Sequence, residues 1–250
     1  MTKSLFDFSG SRVLVTGASR GLGLEIAKAF SAAGAATALN GRNEEALEDA
    51  RSLVPGARAV AGDLAADGAA GVVSRAVSVL GGLDIVVHAA GIRDRRPTFD
   101  LNDADFAAII DVNLNAAYSL ARAALPHLQE SEAGRLIFVT SIAASIARAP
   151  DPAYTASKGG LDALTWSLAV EFGANNLTVN AIAPGWFVTG PNQRLADDPA
   201  VQAFVDMRIP LKRWGDPSEL APAALFLASA ASSFVNGITL TVDGGMSAQM

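Results

Sequence analysis

Short β-branched runs alternate along this chain with longer alanine-rich segments of helical period, and this alternation restricts the fold more than any other feature. A short, continuously apolar run suits a strand covered on both faces, whereas apolar residues three and four apart mark a helix with one buried side. Strand and helix in turn give βαβ units, because parallel neighbours need a crossover between them. The pattern predicts seven strands, at 12–16, 36–40, 57–61, 85–89, 135–140, 178–182 and 238–242. Helices are expected over 22–33, 44–53 and 68–80, within 103–129, and over 154–173 and 217–228. The expected class is α/β, with a doubly wound seven-stranded parallel sheet and helices on both faces. With 250 residues, half of them hydrophobic, the chain suits one domain spanning 1–250.

One segment breaks the rhythm. Residues 184–216 contain Pro191, Pro199, Pro210, Trp186 and Trp214, and a connection this long inside a compact domain reads as a substrate-binding lid. A short helix is expected within it at 199–208.

The first strand runs into Thr16-Gly17-Ala18-Ser19-Arg20-Gly21-Leu22-Gly23 and then directly into a helix, as a dinucleotide-binding turn requires. Gly17 permits a tight turn, Gly21 lets the backbone approach a pyrophosphate, and Gly23 lets the helix pack closely. The helix N-terminus offers unpaired N–H groups and the positive end of its dipole to the phosphates. The second strand ends at Asn40-Gly41-Arg42, where an NAD-binding protein would carry a carboxylate for the ribose hydroxyls. Arg42 and Arg20 instead form a possible clamp for a 2′-phosphate, so NADP(H) is preferred and NAD(H) stays possible. Both arginines could equally be solvated surface groups. Asp63, before Leu64, could accept a hydrogen bond from adenine or cap the turn that follows.

Tyr154 and Lys158 stand four apart at the start of a predicted helix, on one face, one above the other. A free phenol titrates near ~10, and an adjacent ammonium that favours the phenolate brings it towards neutral pH. Many helices carry such a pair without catalytic purpose. Ser141 changes its weight, standing at the end of a strand thirteen residues before Tyr154.

Taken together, the glycine turn, Asp84-Ile85-Val86-Val87-His88-Ala89-Ala90-Gly91, Asn113, Ser141, Tyr154-x-x-x-Lys158 and Pro184-Gly185-Trp186-Phe187-Val188-Thr189 resemble the short-chain dehydrogenase/reductase family. The resemblance covers essentially the whole chain. It implies a Rossmann fold and an oxidoreductase of CH–OH groups with Asn113, Ser141, Tyr154 and Lys158 as its catalytic set. Tyr154 would be the general acid or base, Ser141 would hold the substrate oxygen, Lys158 would also bind the nicotinamide ribose, and Asn113 would bind a relay water. The cofactor would lie along Gly17, Ser19, Arg20, Gly21, Leu22, Gly23, Asn40, Arg42, Asp63, Leu64, Ala90 and Gly91. At the nicotinamide end it would meet Tyr154, Lys158, Pro184, Gly185, Val188 and Thr189. Where the family often has Asn-Asn-Ala-Gly, this chain has His88-Ala89-Ala90-Gly91. His88 reads best as a buried, hydrogen-bonded strand histidine, and His127 as a surface or interface residue. Two isolated histidines and no cysteine give no metal centre.

Leu39-Asn40-Gly41-Arg42, Gly91-Ile92-Arg93-Asp94-Arg95-Arg96-Pro97, Arg213-Trp214-Gly215-Asp216-Pro217 and the segment from Ser233 to Met246 look like the gluconate 5-dehydrogenase subgroup. That points to a sugar acid or polyol and NADP. A carboxylate substrate needs a cation, and Arg93, Arg95, Arg96 and Arg148 border the site in this family, with Trp186 beside them. A 3-oxoacyl-[acyl-carrier-protein] reductase remains an alternative on the same scaffold, as does a non-catalytic NADP-binding regulator. The net charge of −6 disfavours nucleic acid or an anionic membrane as partner. No apolar run is long enough for a bilayer, so a cytoplasmic protein is expected. The resemblance implies a homotetramer, to which the alanine-rich helical faces could contribute.

Overall fold

The computed structural model describes residues 5–249. Seven strands form one sheet, β1 (Arg12–Thr16), β2 (Ala36–Gly41), β3 (Arg58–Ala61), β4 (Ile85–His88), β5 (Arg135–Val139), β6 (Thr178–Pro184) and β7 (Thr239–Val242). Every neighbour pair is parallel, in the order β3-β2-β1-β4-β5-β6-β7. The helices are α1 (Gly21–Ala32), α2 (Glu44–Ser52), α3 (Ala69–Leu80), α4 (Asp103–Ile110), α5 (Ala116–Gln129), α6 (Pro152–Phe172), α7 (Gln193–Ala196), α8 (Pro199–Arg208) and α9 (Ala221–Ala228). This is the single-domain doubly wound fold the sequence implies.

The strand pleat divides the core in two. Leu14, Val86, Leu136 and Phe138 join the apolar faces of α3, α5 and α6, whereas Val13, Val15, Ile85, Val87 and Ile137 join those of α1, α2 and α9. Strands buried on both faces must read as unbroken apolar runs, and these do.

Strand order reverses between β1 and β4, the place where open α/β sheets leave a crevice at their carboxyl ends. The register sets Thr16 beside His88, so the loop that starts at Gly17 lies against Ala89 and Ala90. Gly17 has φ +65°, and a Cβ there would stand 2.7 Å from Ala90 backbone atoms. A Cβ on Gly23 would stand 2.4 Å from the Gly17 carbonyl oxygen, so the first turn of α1 is pressed onto the loop itself.

Three boundaries depart from expectation. The long helical stretch is interrupted by a wide five-residue turn, Asp111–Asn115, between α4 and α5. The helix expected from residue 154 begins two residues earlier, at Pro152, whose missing N–H suits a first helical position. The helix expected over 217–228 splits into a tight turn, Pro217–Glu219, and α9. A reciprocal cap between Asp216 and Glu219 closes that turn, and Pro222 cannot donate to a continuing helix. The segment expected as a lid carries α8 as anticipated and α7 besides.

Candidate active site

Asn113 lies in the wide turn between α4 and α5, fully buried, and such turns recur at functional sites because they redirect side chains. Its Oδ1 accepts the Ile92 N–H at 2.7 Å, and its Nδ2 donates to the Ile92 carbonyl at 2.9 Å and to Ser157 Oγ at 3.0 Å. One amide thus fixes the β4–α4 loop to α6, the helix that carries Tyr154 and Lys158.

Lys158 is 4% exposed, and its ammonium donates to the Val139 carbonyl at 2.8 Å. Burial pushes its pKa down to about 8, an effect that the nearby Asp162 carboxylate partly opposes. Its Nζ stands 5.8 Å from the centroid of the Tyr154 ring. Ser141, one residue past Thr140 at the end of β5, begins a tight turn, and its Oγ accepts the Ala143 N–H at 3.1 Å. Ser141, Tyr154 and Lys158 line one cavity of about 470 Å³, together with Arg20, Leu22, Gly91, Pro184, Gly185 and Thr189. Of the four residues expected as the catalytic set, the fold thus brings Ser141, Tyr154 and Lys158 to one cavity, with Asn113 behind it in the turn that holds the β4–α4 loop to α6.

His88 is buried, as expected, with Nδ1 2.9 Å from Thr16 Oγ1 and its ring edge-on to Phe138. Burial, then the Lys158 charge, push its pKa down to about 3. The imidazole is neutral and adds no positive charge beside Lys158. His127 is half-buried in the last turn of α5. Among the described residues no cluster of histidine, aspartate or glutamate could hold a metal ion.

The other candidate cofactor residues divide. Gly17, Asn40, Arg42, Asp63, Leu64, Ala90 and Gly91 line a smaller cavity, beside β2 and β3. Asn40 has a structural task, since its Nδ2 donates to the Val60 and Gly62 carbonyls at 2.9 and 3.1 Å. Asp63 caps the following turn by accepting the Ala65 N–H at 2.9 Å, and its other oxygen lies 3.7 Å from the exposed Arg42 guanidinium. Arg20 is exposed and lines the catalytic cavity, so the two arginines do not share one cavity. Ser19 packs against Gly41. The Val188 N–H is already given to the Gly215 carbonyl at 2.9 Å. The residues present nonetheless fit a dinucleotide: positions 17 and 23 admit no side chain, and the N-terminus of α1 opens between the two cavities.

A further cavity adjoins the catalytic one and shares Arg93, Gly185 and Asn192 with it. Arg95, Arg148, Trp186 and Trp214 also line it. Arg148 lies over the Trp186 and Phe204 rings at 4.8 and 5.4 Å, and Trp186 packs on Trp214 at 4.9 Å. Arg93 pairs through Nη2 with Asp151 Oδ2 and sits 4.7 Å from the Tyr154 ring centroid. Sequence reasoning missed Asp151, which is 4% exposed and leaves Oδ1 without a protein partner. The sequence shows an aspartate three residues before Tyr154, and its burial and its partner emerge with the fold. Arg96 turns away to Asp94 and Asp105.

Residues 17–247 match the family model described as Enoyl-(Acyl carrier protein) reductase. Gluconate 5-dehydrogenase of Gluconobacter oxydans is 37% identical, with 98% of each chain covered. A crystal structure of a gluconate 5-dehydrogenase from Burkholderia cenocepacia, in complex with NADP and tartrate, superposes with TM-score 0.92 at 35% identity, covering 100% of both chains. A short-chain type dehydrogenase/reductase from Mycobacterium marinum superposes with TM-score 0.90 at 33% identity and 98% coverage of both. Matched by the family model over residues 17–247 and similar to these relatives over nearly its full length, this chain belongs to the short-chain dehydrogenase/reductase family.

Proposed function

We propose that the chain is an NADP-dependent oxidoreductase that moves a hydride between nicotinamide and a secondary alcohol or ketone of a sugar acid, of which gluconate and 5-ketogluconate are the type. The carrying observation is the cluster of three guanidinium groups, Arg93, Arg95 and Arg148, around a cavity that adjoins Ser141, Tyr154 and Lys158. Among the described residues Asp151 is the one carboxylate lining that cavity, and it is paired with Arg93. Arg95 and Arg148 therefore keep an uncompensated positive field that favours an anionic substrate. Arg148, held over the Trp186 ring, has guanidinium N–H groups suited to a carboxylate, and the residue 184–216 lid supplies the aromatic wall for the carbon chain.

A nicotinamide dinucleotide bound along the glycine turn supplies the hydride in reduction and accepts it in oxidation. In reduction Tyr154 gives its phenolic proton to the oxygen of the reacting ketone, and Ser141 donates a hydrogen bond to the same oxygen as negative charge grows there. The Lys158 ammonium stabilises the phenolate left behind. Asn113 fixes the loop and helix that frame these groups and holds the water through which Lys158 exchanges protons with solvent. Arg42, the arginine of the adenosine-side cavity, pairs with the 2′-phosphate and leaves Asp63 to do so.

NADPH oxidation with 5-ketogluconate, beside a 3-oxoacyl thioester, tests the reading: turnover of the keto acid is expected, and turnover of the thioester alone overturns it. Arg42→Ala should lower NADPH affinity and leave NADH affinity unchanged; equal effects on both overturn the phosphate clamp.

The reading also puts the enzyme in the cytoplasm, where NADP(H) is replenished, as a homotetramer. Tyr118 on α5 and Trp166 and Val170 on α6 support assembly, being 49%, 54% and 87% exposed on helices otherwise packed on the sheet. A monomer by light scattering would contradict it.

A further inference from the structure

Arg93 sits against Tyr154, and two connections hold it there. Its predecessor Ile92 has both backbone polar groups bound by the buried Asn113 amide, which fixes the loop. Its guanidinium pairs with Asp151, which immediately precedes Pro152 at the start of α6. Asp151 makes no capping hydrogen bond to the helix, so its carboxylate serves the arginine instead. The pair ties the β4–α4 loop to α6 three residues before Tyr154. The Arg93 Cζ then stands 4.7 Å from the phenol ring centroid, nearer than Lys158 Nζ at 5.8 Å.

We infer that Arg93 is a positioning residue for proton transfer, a second cation that acts with Lys158 to favour the Tyr154 phenolate. Ionising a phenol makes its ring more negative, so a cation at the ring is attracted more strongly to the phenolate. The surrounding charges leave this sign intact. Lys158, Arg95 and Arg148 act in the same direction, and Asp162 beyond Lys158 sustains the ammonium. Asp151 opposes, being close to Arg93, while the neutral His88 on β4 contributes no charge. Desolvation and then Arg95 push the Arg93 pKa down to about 10, which keeps it cationic at neutral pH. An arginine engaged in this way sets the tyrosine and leaves Arg95 and Arg148 to the substrate carboxylate.

The inference rests on Tyr154 as the proton-transfer group, yet it can be tested without substrate. The chain has two tyrosines, Tyr118 and Tyr154, so Tyr118→Phe leaves a single phenol. Its tyrosinate absorbance then titrates Tyr154 directly. In that background Arg93→Gln is expected to raise the midpoint by about one unit, with Arg93→Lys remaining nearer the parent. Arg93→Met repeats the neutral substitution with a different stem should the Gln variant unfold. With 5-ketogluconate, the alkaline limb of the kcat/KM profile for reduction should move upward by the same amount. An unchanged midpoint in the neutral variants overturns the inference. Absence of turnover with sugar acids would overturn the substrate reading instead and leave the titration result standing.

Discussion

On the Lys158 side of the cleft two polar groups, Lys158 and Asn113, are sealed and bonded to backbone; on the Arg148 side the guanidinium groups are partly open and meet across loops. Lys158 and Asn113 lie under the sheet's carboxyl edge, each engaged with a main-chain carbonyl. Among the described residues Arg148 has no main-chain anchor of that kind, and it rests on the faces of Trp186 and Phe204, which belong to the segment between β6 and α9. Buried polar groups that are hydrogen-bonded to the main chain hold their geometry, because moving them would leave a buried donor or acceptor unpaired. Stacked, half-solvated arginines can be re-aimed at little cost. The first wall suits a reaction that stays the same, and the second suits a substrate that varies from one relative to another.

The sharpest way to break this comparison is at the first wall. Tyr154→Phe keeps the ring and its packing but removes the transferable proton, and it should lower kcat for 5-ketogluconate reduction by about 10³-fold. NADPH affinity, followed by fluorescence, should hardly move. Retained turnover would mean that another group carries the proton.

The second wall should respond differently. If Arg148 is the proposed partner of the substrate's carboxylate, Arg148→Ala removes that charge but touches none of the Ser141–Tyr154–Lys158 set, so KM for 5-ketogluconate should rise about 10- to 100-fold with kcat little changed. A neutral ketose should show no such change. Equal losses on the charged and neutral substrates would show that Arg148 shapes the lid and does not read the carboxylate.

The same division explains what could be read in the chain before its structure. The Tyr154–Lys158 face follows from helical spacing, and Gly17, at φ +65°, and Gly23, pressed onto the Gly17 carbonyl, from the geometry of a strand–turn–helix, so local rules suffice for both. Asp151 obeys a long-range rule. Nothing local to it in the sequence reveals that Arg93, 58 residues earlier, takes its carboxylate. Asn40 has a second task of the same long-range kind. Its position at the end of β2 matches a cofactor contact, while the β2–β3 pairing draws its amide to the Val60 and Gly62 carbonyls. The wide turn at Asp111–Asn115 leaves no mark, because one extra residue in a turn hardly disturbs an apolar pattern already rich in alanine.

The sealed wall should also have a measurable cost in stability. Lys158 has a pKa of about 8 in the folded chain against an ordinary 10.5, so between those values the unfolded chain holds a proton that the folded chain has released. Stability therefore rises with pH across that window, and the penalty for burying the ammonium is fully present below it. The shift corresponds to a penalty on the order of 3 kcal/mol, against which the hydrogen bond to the Val139 carbonyl returns about 1 kcal/mol. Lys158→Met keeps the stem and removes the charge, so at pH 7 it should stabilise the fold by about 2 kcal/mol while abolishing activity. Urea unfolding at pH 7 and near pH 10 measures this, with the variant's advantage shrinking as the wild type discharges. His88 has the same sign in another window: its pKa falls from 6.5 to about 3, so it withdraws stability only as pH drops from about 6.5 towards 3. An advantage of Lys158→Met that stayed constant from neutral to alkaline pH would mean that the ammonium keeps its water, and the contrast between the two walls would fail.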